Sequence, residues 1–104
     1  MLNLTAHAIT IQLPTGERVT FPPSGQLARV STTETISGET AGVPVVTRTL
    51  GEATGLPEEG VPCIVSSRVA GAVPGRKGVY APDSGPTAVR ENGQVVAVTR
   101  LVAA

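Results

Sequence analysis

The sequence predicts a mostly-β domain, and three observations carry that expectation. Of 104 residues, 15 are Val, 13 Thr and 4 Ile, so 32 are β-branched. Such side chains lose rotamer freedom in a helix and pack well on a pleated surface. Twelve Gly and nine Pro cut the chain into short pieces. Finally, residues at both ends of the chain alternate apolar and polar around turn signals, which is the pattern of β-hairpins.

Taken in order, residues 5–13 (TAHAITIQL) place Ile9, Ile11 and Leu13 on one face and Thr10 and Gln12 on the other. Pro14-Thr15-Gly16-Glu17 forms a turn, and Arg18 to Phe21 returns as the partner strand. Pro22-Pro23-Ser24-Gly25 ends this hairpin, and Leu27 to Thr33 reads as a third strand. The polar run Ser31 to Thr35 reads as a strand edge or loop whose hydroxyls satisfy nearby backbone groups. A turn at residues 38–42 leads to a strand from Val43 to Thr49, with Pro44 at its start suggesting a sheet edge. Gly51 to Gly60 reads as an acidic surface loop.

Val61 to Val65 is the next strand. Ser66 or Ser67 then caps a short helix near residues 67–73 that Pro74-Gly75 ends. Gly71 and two valines give that helix poor intrinsic propensity, so it depends on Val69 and Val73 docking on a sheet. Gly78 to Ala81 is short and extended. Thr87 to Glu91 and Gln94 to Val102 flank Asn92-Gly93, the strongest short hairpin signal. About eight short strands and one helix fit a small barrel or two-sheet sandwich, in a single domain spanning residues 1–104.

Phe21 and Tyr80 are the only aromatic residues. The core must therefore be built from Val, Ile, Leu and Ala, each burying less area than a ring. That predicts modest stability as a monomer or support from a homo-oligomer. Scarce rings and zero net charge argue against nucleic acid and against an anionic membrane surface. No apolar run approaches the roughly 18 residues of a spanning helix, and the N-terminus lacks the pattern of a signal peptide. The expected location is accordingly the cytoplasm. A single cysteine permits no internal disulfide and cannot alone hold a metal, and no cofactor motif is present.

The search for chemistry centres on Cys63 to Arg90. His7 and Cys63 read as structural residues, the first exposed and the second a small buried hydrophobe. A strand that feeds serines at a helix start presents free backbone N–H groups, a seat for an anion. Ser66 and Ser67 stand at that start and Arg68 in the first turn, with Arg76 and Lys77 just beyond the helix. Asp83 and Ser84 can hydrogen-bond a ligand, Tyr80 can stack on a flat ring, and Arg90 adds a charge. Together these nine residues form the candidate site for an anionic, nucleotide-like small molecule. The plainer reading makes them a cap, solvated charges and an ordinary turn.

The set Asn3-Leu4-Thr5-Ala6-His7-Ala8-Ile9, Pro22-Pro23-Ser24-Gly25, Ala28-Arg29-Val30-Ser31, Pro44-Val45-Val46, Gly55-Leu56-Pro57, Ile64-Val65-Ser66, Ala81-Pro82-Asp83-Ser84-Gly85-Pro86 and Ala88-Val89-Arg90 resembles a family of small proteins encoded by bacteriophages and by bacterial, especially actinobacterial, genomes. The resemblance spans nearly the whole chain. It departs at Ala6, where the family pattern has proline. It implies a phage or prophage setting inside a bacterial host and transfers no catalytic or binding residue. Three readings follow in order. The first is a non-enzymatic binder that sequesters a small anionic molecule in the host cytoplasm. The second is a virion component, a capsid-decorating or head–tail protein partnered by capsid proteins. A small enzyme ranks last.

Overall fold

Ten strands and one helix make this a small, mostly-β protein, and the computed structural model describes all of residues 1–104. In chain order they are β1 (Leu2–Asn3), β2 (Ile9–Gln12), β3 (Arg18–Phe21), β4 (Arg29–Thr40), β5 (Val43–Thr54), β6 (Cys63–Ile64), α1 (Ser67–Ala72), β7 (Val79–Pro82), β8 (Val89–Glu91), β9 (Gln94–Ala97) and β10 (Leu101–Ala103). They fall into a four-stranded sheet in the order β1-β6-β7-β10 and three two-stranded hairpins. No sheet closes into a barrel.

The four-stranded sheet is mixed. β1 and β7 run parallel to β6, with Leu2 and Val79 both opposite Cys63, and β10 runs antiparallel to β7. Its ladder extends past the short strands through Leu4 N to Ile64 O (2.9 Å) and Val65 N to Tyr80 O (2.8 Å). Parallel neighbours require a crossover, and α1 supplies it between β6 and β7. Ser66 caps the helix, its Oγ accepting from Val69 N at 3.3 Å. Val69 and Ala70 are the helix residues that are buried. They join Leu4, Cys63, Val65, Val79 and Ala81 in one apolar cluster, against which Val73 and Leu56 also pack. Burial of this kind is worth about 1.5–3 kcal/mol for a Val, enough to offset the roughly 1 kcal/mol that Gly71 costs the helix.

Gly78 immediately precedes β7 with φ +84°, and a Cβ there would stand 2.7 Å from Val61 O. Only glycine lets the chain enter the sheet this close to the residues before β6.

On the opposite sheet face lies Ile64, which is fully buried. The β2–β3 hairpin pairs Ile9 with Phe21 and Ile11 with Val19. The outer edge of β2 takes up the segment after β9, through Gln12 N to Val98 O (2.8 Å) and Val98 N to Thr10 O (2.9 Å). The β8–β9 turn has Asn92 and Gly93 at φ 53° and 79°, the left-handed pair such a tight turn needs. The strand expected to continue to Val102 instead breaks after Ala97, and Leu101–Ala103 pair with β7.

β4 and β5 form a separate arm. Each strand has 12 residues, and within them Val30 and Ala53 at the base are the only ones not exposed. The molecule measures 52 × 37 × 24 Å with a radius of gyration of 16.2 Å, against about 13 Å for a compact chain of this length. No helix is long and apolar enough to cross a membrane.

Candidate functional site

Because β1, β6 and β7 are parallel, their carboxyl ends gather at one edge of the sheet. A cleft of about 380 Å³ opens there. Residues after β1 (Thr5, His7, Ala8), after β6 (Val65, Ser66, Ser67) and at the end of β7 (Pro82, Ser84) line it, and Ile9, Thr10 and residues 95–98 complete the wall. Open sheets with parallel strands commonly bind ligands at this place, outside the strand ends. The size falls within the range of small-molecule sites, roughly 300–1,000 Å³.

Asn3 shapes the first wall. It is 1% exposed, the one buried polar residue of the chain. Its Nδ2 donates to His7 O and Phe21 O, both at 2.8 Å, while Oδ1 accepts from Thr5 N at 3.0 Å and Thr5 Oγ1 at 2.7 Å. Four hydrogen bonds thus fold the segment after β1 back on itself and tie it to the end of β3. On the second wall, Ser66 Oγ receives Val69 N, which leaves the hydroxyl hydrogen free to point at a ligand.

The third wall is held by charges. Asp83 Oδ1 accepts from Gly85 N at 3.0 Å, and Oδ2 accepts from Arg100 Nε at 2.7 Å. The hydrogen bond from Arg100, followed by that from Gly85 N, keeps the Asp83 carboxyl below its ordinary pKa. Arg90 donates through Nη2 to Ser84 O (2.8 Å) and through Nη1 to Gly85 O (3.1 Å). Ser84 is therefore fixed by its neighbours' charged side chains.

The nine predicted site residues separate into two groups. Ser66, Ser67 and Ser84 line the cleft, and Asp83 lines an adjoining one of similar size that shares Ser67, Pro82 and Ser84. Arg68, Arg76, Lys77, Tyr80 and Arg90 line neither. Arg76 Nη2 instead donates to Pro57 O at 2.7 Å, clasping the loop before β6. Arg68 and Lys77 are exposed, and Tyr80 lies on the sheet face opposite Val79 and Ala81. The main cleft carries no Asp, Glu, Lys or Arg. Its polar groups are hydroxyls and one imidazole.

His7, Thr5 and Thr10 are polar wall residues that no local sequence pattern marks as part of a site. His7 reaches the serines because β1 pairs with β6 across some sixty residues of chain, a relation that no local pattern displays. The imidazole makes no hydrogen bond to a serine, and Asp83 is engaged by Arg100. The arrangement is not a nucleophile–base–orienter set. Cys63 is fully buried, and desolvation pushes its thiol pKa up, the Arg76 charge opposing this in part. A thiol so placed is protonated and inert at neutral pH. No three His, Cys, Asp or Glu side chains are grouped to hold a metal. The chain matches no family model, no curated protein and no solved structure.

Proposed function

We propose that this protein binds a small polar molecule, without transforming it, at the carboxyl ends of β1, β6 and β7. The observation that carries the reading is the cleft itself, about 380 Å³, with hydroxyls and an imidazole set against a wall of valines. Apolar walls with a few convergent polar groups suit a ligand that is flat or hydrophobic on one side and hydrogen-bonding on the other. A nucleoside, or the nucleoside part of a nucleotide, has that character. Because the cationic residues lie outside the cleft, hydrogen bonds rather than ion pairs select the ligand. In the phage setting implied by the sequence resemblance, the role is sequestration of a host nucleotide-like molecule in the cytoplasm.

A thermal-shift panel of nucleosides and nucleotides tests this, since a ligand of the folded state raises the melting temperature by mass action. Ser84→Ala and His7→Ala each remove one neutral hydrogen bond, worth about 0.5–1.5 kcal/mol, or roughly a two- to tenfold loss of affinity. Ala8→Trp fills the cleft and abolishes the shift. Arg76→Ala leaves affinity unchanged, because its guanidinium is spent on Pro57 O. A panel that produces no shift, or a shift that survives Ala8→Trp, sinks the reading.

A virion role is the second reading, favoured by the exposed β4–β5 arm. Mass spectrometry of purified particles separates the two: stoichiometric protein in the particle supports the structural role.

A further inference from the structure

We propose that the β4–β5 arm is an interface between copies of this chain, its occupant being a second copy. The first argument is area. The chain exposes 6815 Å², whereas a compact monomer of 10.5 kDa would expose about 5,400 Å². The excess of about 1,400 Å² exceeds the roughly 800 Å² that each partner contributes to a standard interface. The arm contributes the two most exposed of the large apolar side chains, Ile36 at 75% and Val43 at 61%, and Val45, Val46 and Leu50 are exposed too. A two-stranded ribbon standing alone in water is marginally stable at best.

The second argument is charge. Paired residues share a ribbon face, so Ile36 lies beside Val46 and Thr32 beside Leu50. Between those pairs Glu34 is neutralised by Arg48 at 2.6 Å. The other face carries Thr33 beside Thr49 and Thr35 beside Thr47, with no charge. A nucleic acid or an anionic membrane would need a basic surface here, and a strongly acidic or basic protein would need more than the arm's net charge of minus one, from Arg29 and Arg48 against Glu34, Glu39 and Glu52. A second copy needs neither, and with zero net charge the copies do not repel. The outer edges of β4 and β5 pair with no other strand of the chain. A copy related by a two-fold axis presents the same patch and the same edge, which is the requirement for a closed, self-complementary contact.

Native mass spectrometry and light scattering at tens of micromolar test the proposal. The wild type is expected as a dimer or larger closed assembly, and the double variant Ile36→Glu, Val46→Glu as a monomer. Both side chains are solvent-facing in the single chain, so the variant keeps the circular dichroism of the wild type. Amide exchange across residues 32–49 is slow in the wild type and at least tenfold faster in the variant. A monomeric wild type overturns the proposal and returns the arm to a partner of other chemistry. An assembly that persists in the double variant, or an arm that exchanges fast while the protein is assembled, overturns it equally.

Discussion

The sheet-and-helix body and the β4–β5 arm are written in nearly the same residues, yet one buries them and the other does not. In the body, Leu4, Cys63, Ile64, Val65, Val69 and Val79 are each at most 2% exposed. In the arm, the same kinds of side chain face solvent along two 12-residue strands. The difference is topological. A parallel β6–α1–β7 unit covers one sheet face with its own crossover, whereas a hairpin that leaves the body is covered only at its base, where Val30 and Ala53 pack against the core. β-branched composition therefore specifies strands without specifying a core, and the arm's ordering entropy, about 1–2 kcal/mol per residue for the backbone, has little burial to offset it within one chain.

The sharpest way to break this comparison is a pair of matched truncations. Ile64→Ala empties a fully buried position and is expected to cost about 2–5 kcal/mol in denaturant unfolding. Ile36→Ala removes the same atoms from an exposed one and is expected to change the stability of the single chain by about 0.5 kcal/mol or less. Equal costs in protein diluted to the monomer would show that the arm's apolar residues are packed after all.

Asn3→Ala comes next, because it strikes the polar pin of the body. It takes from Phe21 O and Thr5 N the partner that Asn3 supplies and leaves His7 O with Thr5 Oγ1 as its side-chain donor. An orphaned buried group costs about 1–3 kcal/mol. The variant is expected to unfold at lower denaturant and also to lose ligand affinity, since the segment it releases carries Thr5 and His7 into the cleft. A stability loss with affinity intact would separate the fold from the site.

How much of this the sequence displayed depends on the range of each interaction. Ile9 and Ile11 announced β2 by alternation, Asn92-Gly93 announced the last hairpin, and Ser66 announced the helix start; all are local signals. β4 and β5 were half legible. The run Ser31 to Thr35 lacks alternating apolar residues, so it reads as an edge or loop, although threonines paired across a ribbon hold the strand as far as Thr40. The acidic loop expected from Gly51 likewise opens with strand residues up to Thr54. β1, two residues long, and its parallel pairing with β6 were invisible. The site shows the same division. Ser66 and Ser67, which directly follow a strand, fall on the cleft wall, whereas charge alone suggests a ligand for Arg76 and Arg90. Their partners, Pro57 O and the carbonyls of Ser84 and Gly85, are backbone atoms that a sequence does not show.

Acid titration sharpens the contrast between the two ion pairs. Asp83–Arg100 joins a carboxylate side chain only 17% exposed, whereas in Glu34–Arg48 both side chains are more than half exposed. The folded-state pKa of Asp83 is lowered, chiefly by the hydrogen bond from Arg100. Its contribution is thus complete above the unfolded value of about 3.9 and is lost as pH falls through the lower folded value. Asp83→Asn is expected to lower the melting temperature at neutral pH, with the gap from wild type closing as pH drops below about 4. Glu34→Gln breaks an exposed pair and is expected to cost about 0–1 kcal/mol at neutral pH. Superimposable acid limbs for wild type and Asp83→Asn would remove Asp83 from the scaffold of the third wall.

The smallest effect lies where body and arm meet. A Cβ added at Gly71 would stand 3.8 Å from Leu50 Cδ1, ordinary van der Waals contact. Gly71 is inside α1 at a φ that any residue tolerates, so alanine there gains helix propensity of about 0.5–1 kcal/mol relative to glycine. Gly71→Ala is expected to raise the unfolding midpoint by that amount. The gain should disappear in Gly71→Leu, whose longer side chain collides with Leu50 and pushes the arm's base away from the helix. If leucine stabilises as well as alanine does, then Leu50 yields freely and the arm is hinged on the body rather than seated against it. The exposed faces of β4 and β5 would then be free to swing, and a closed assembly of copies would have to fix their direction.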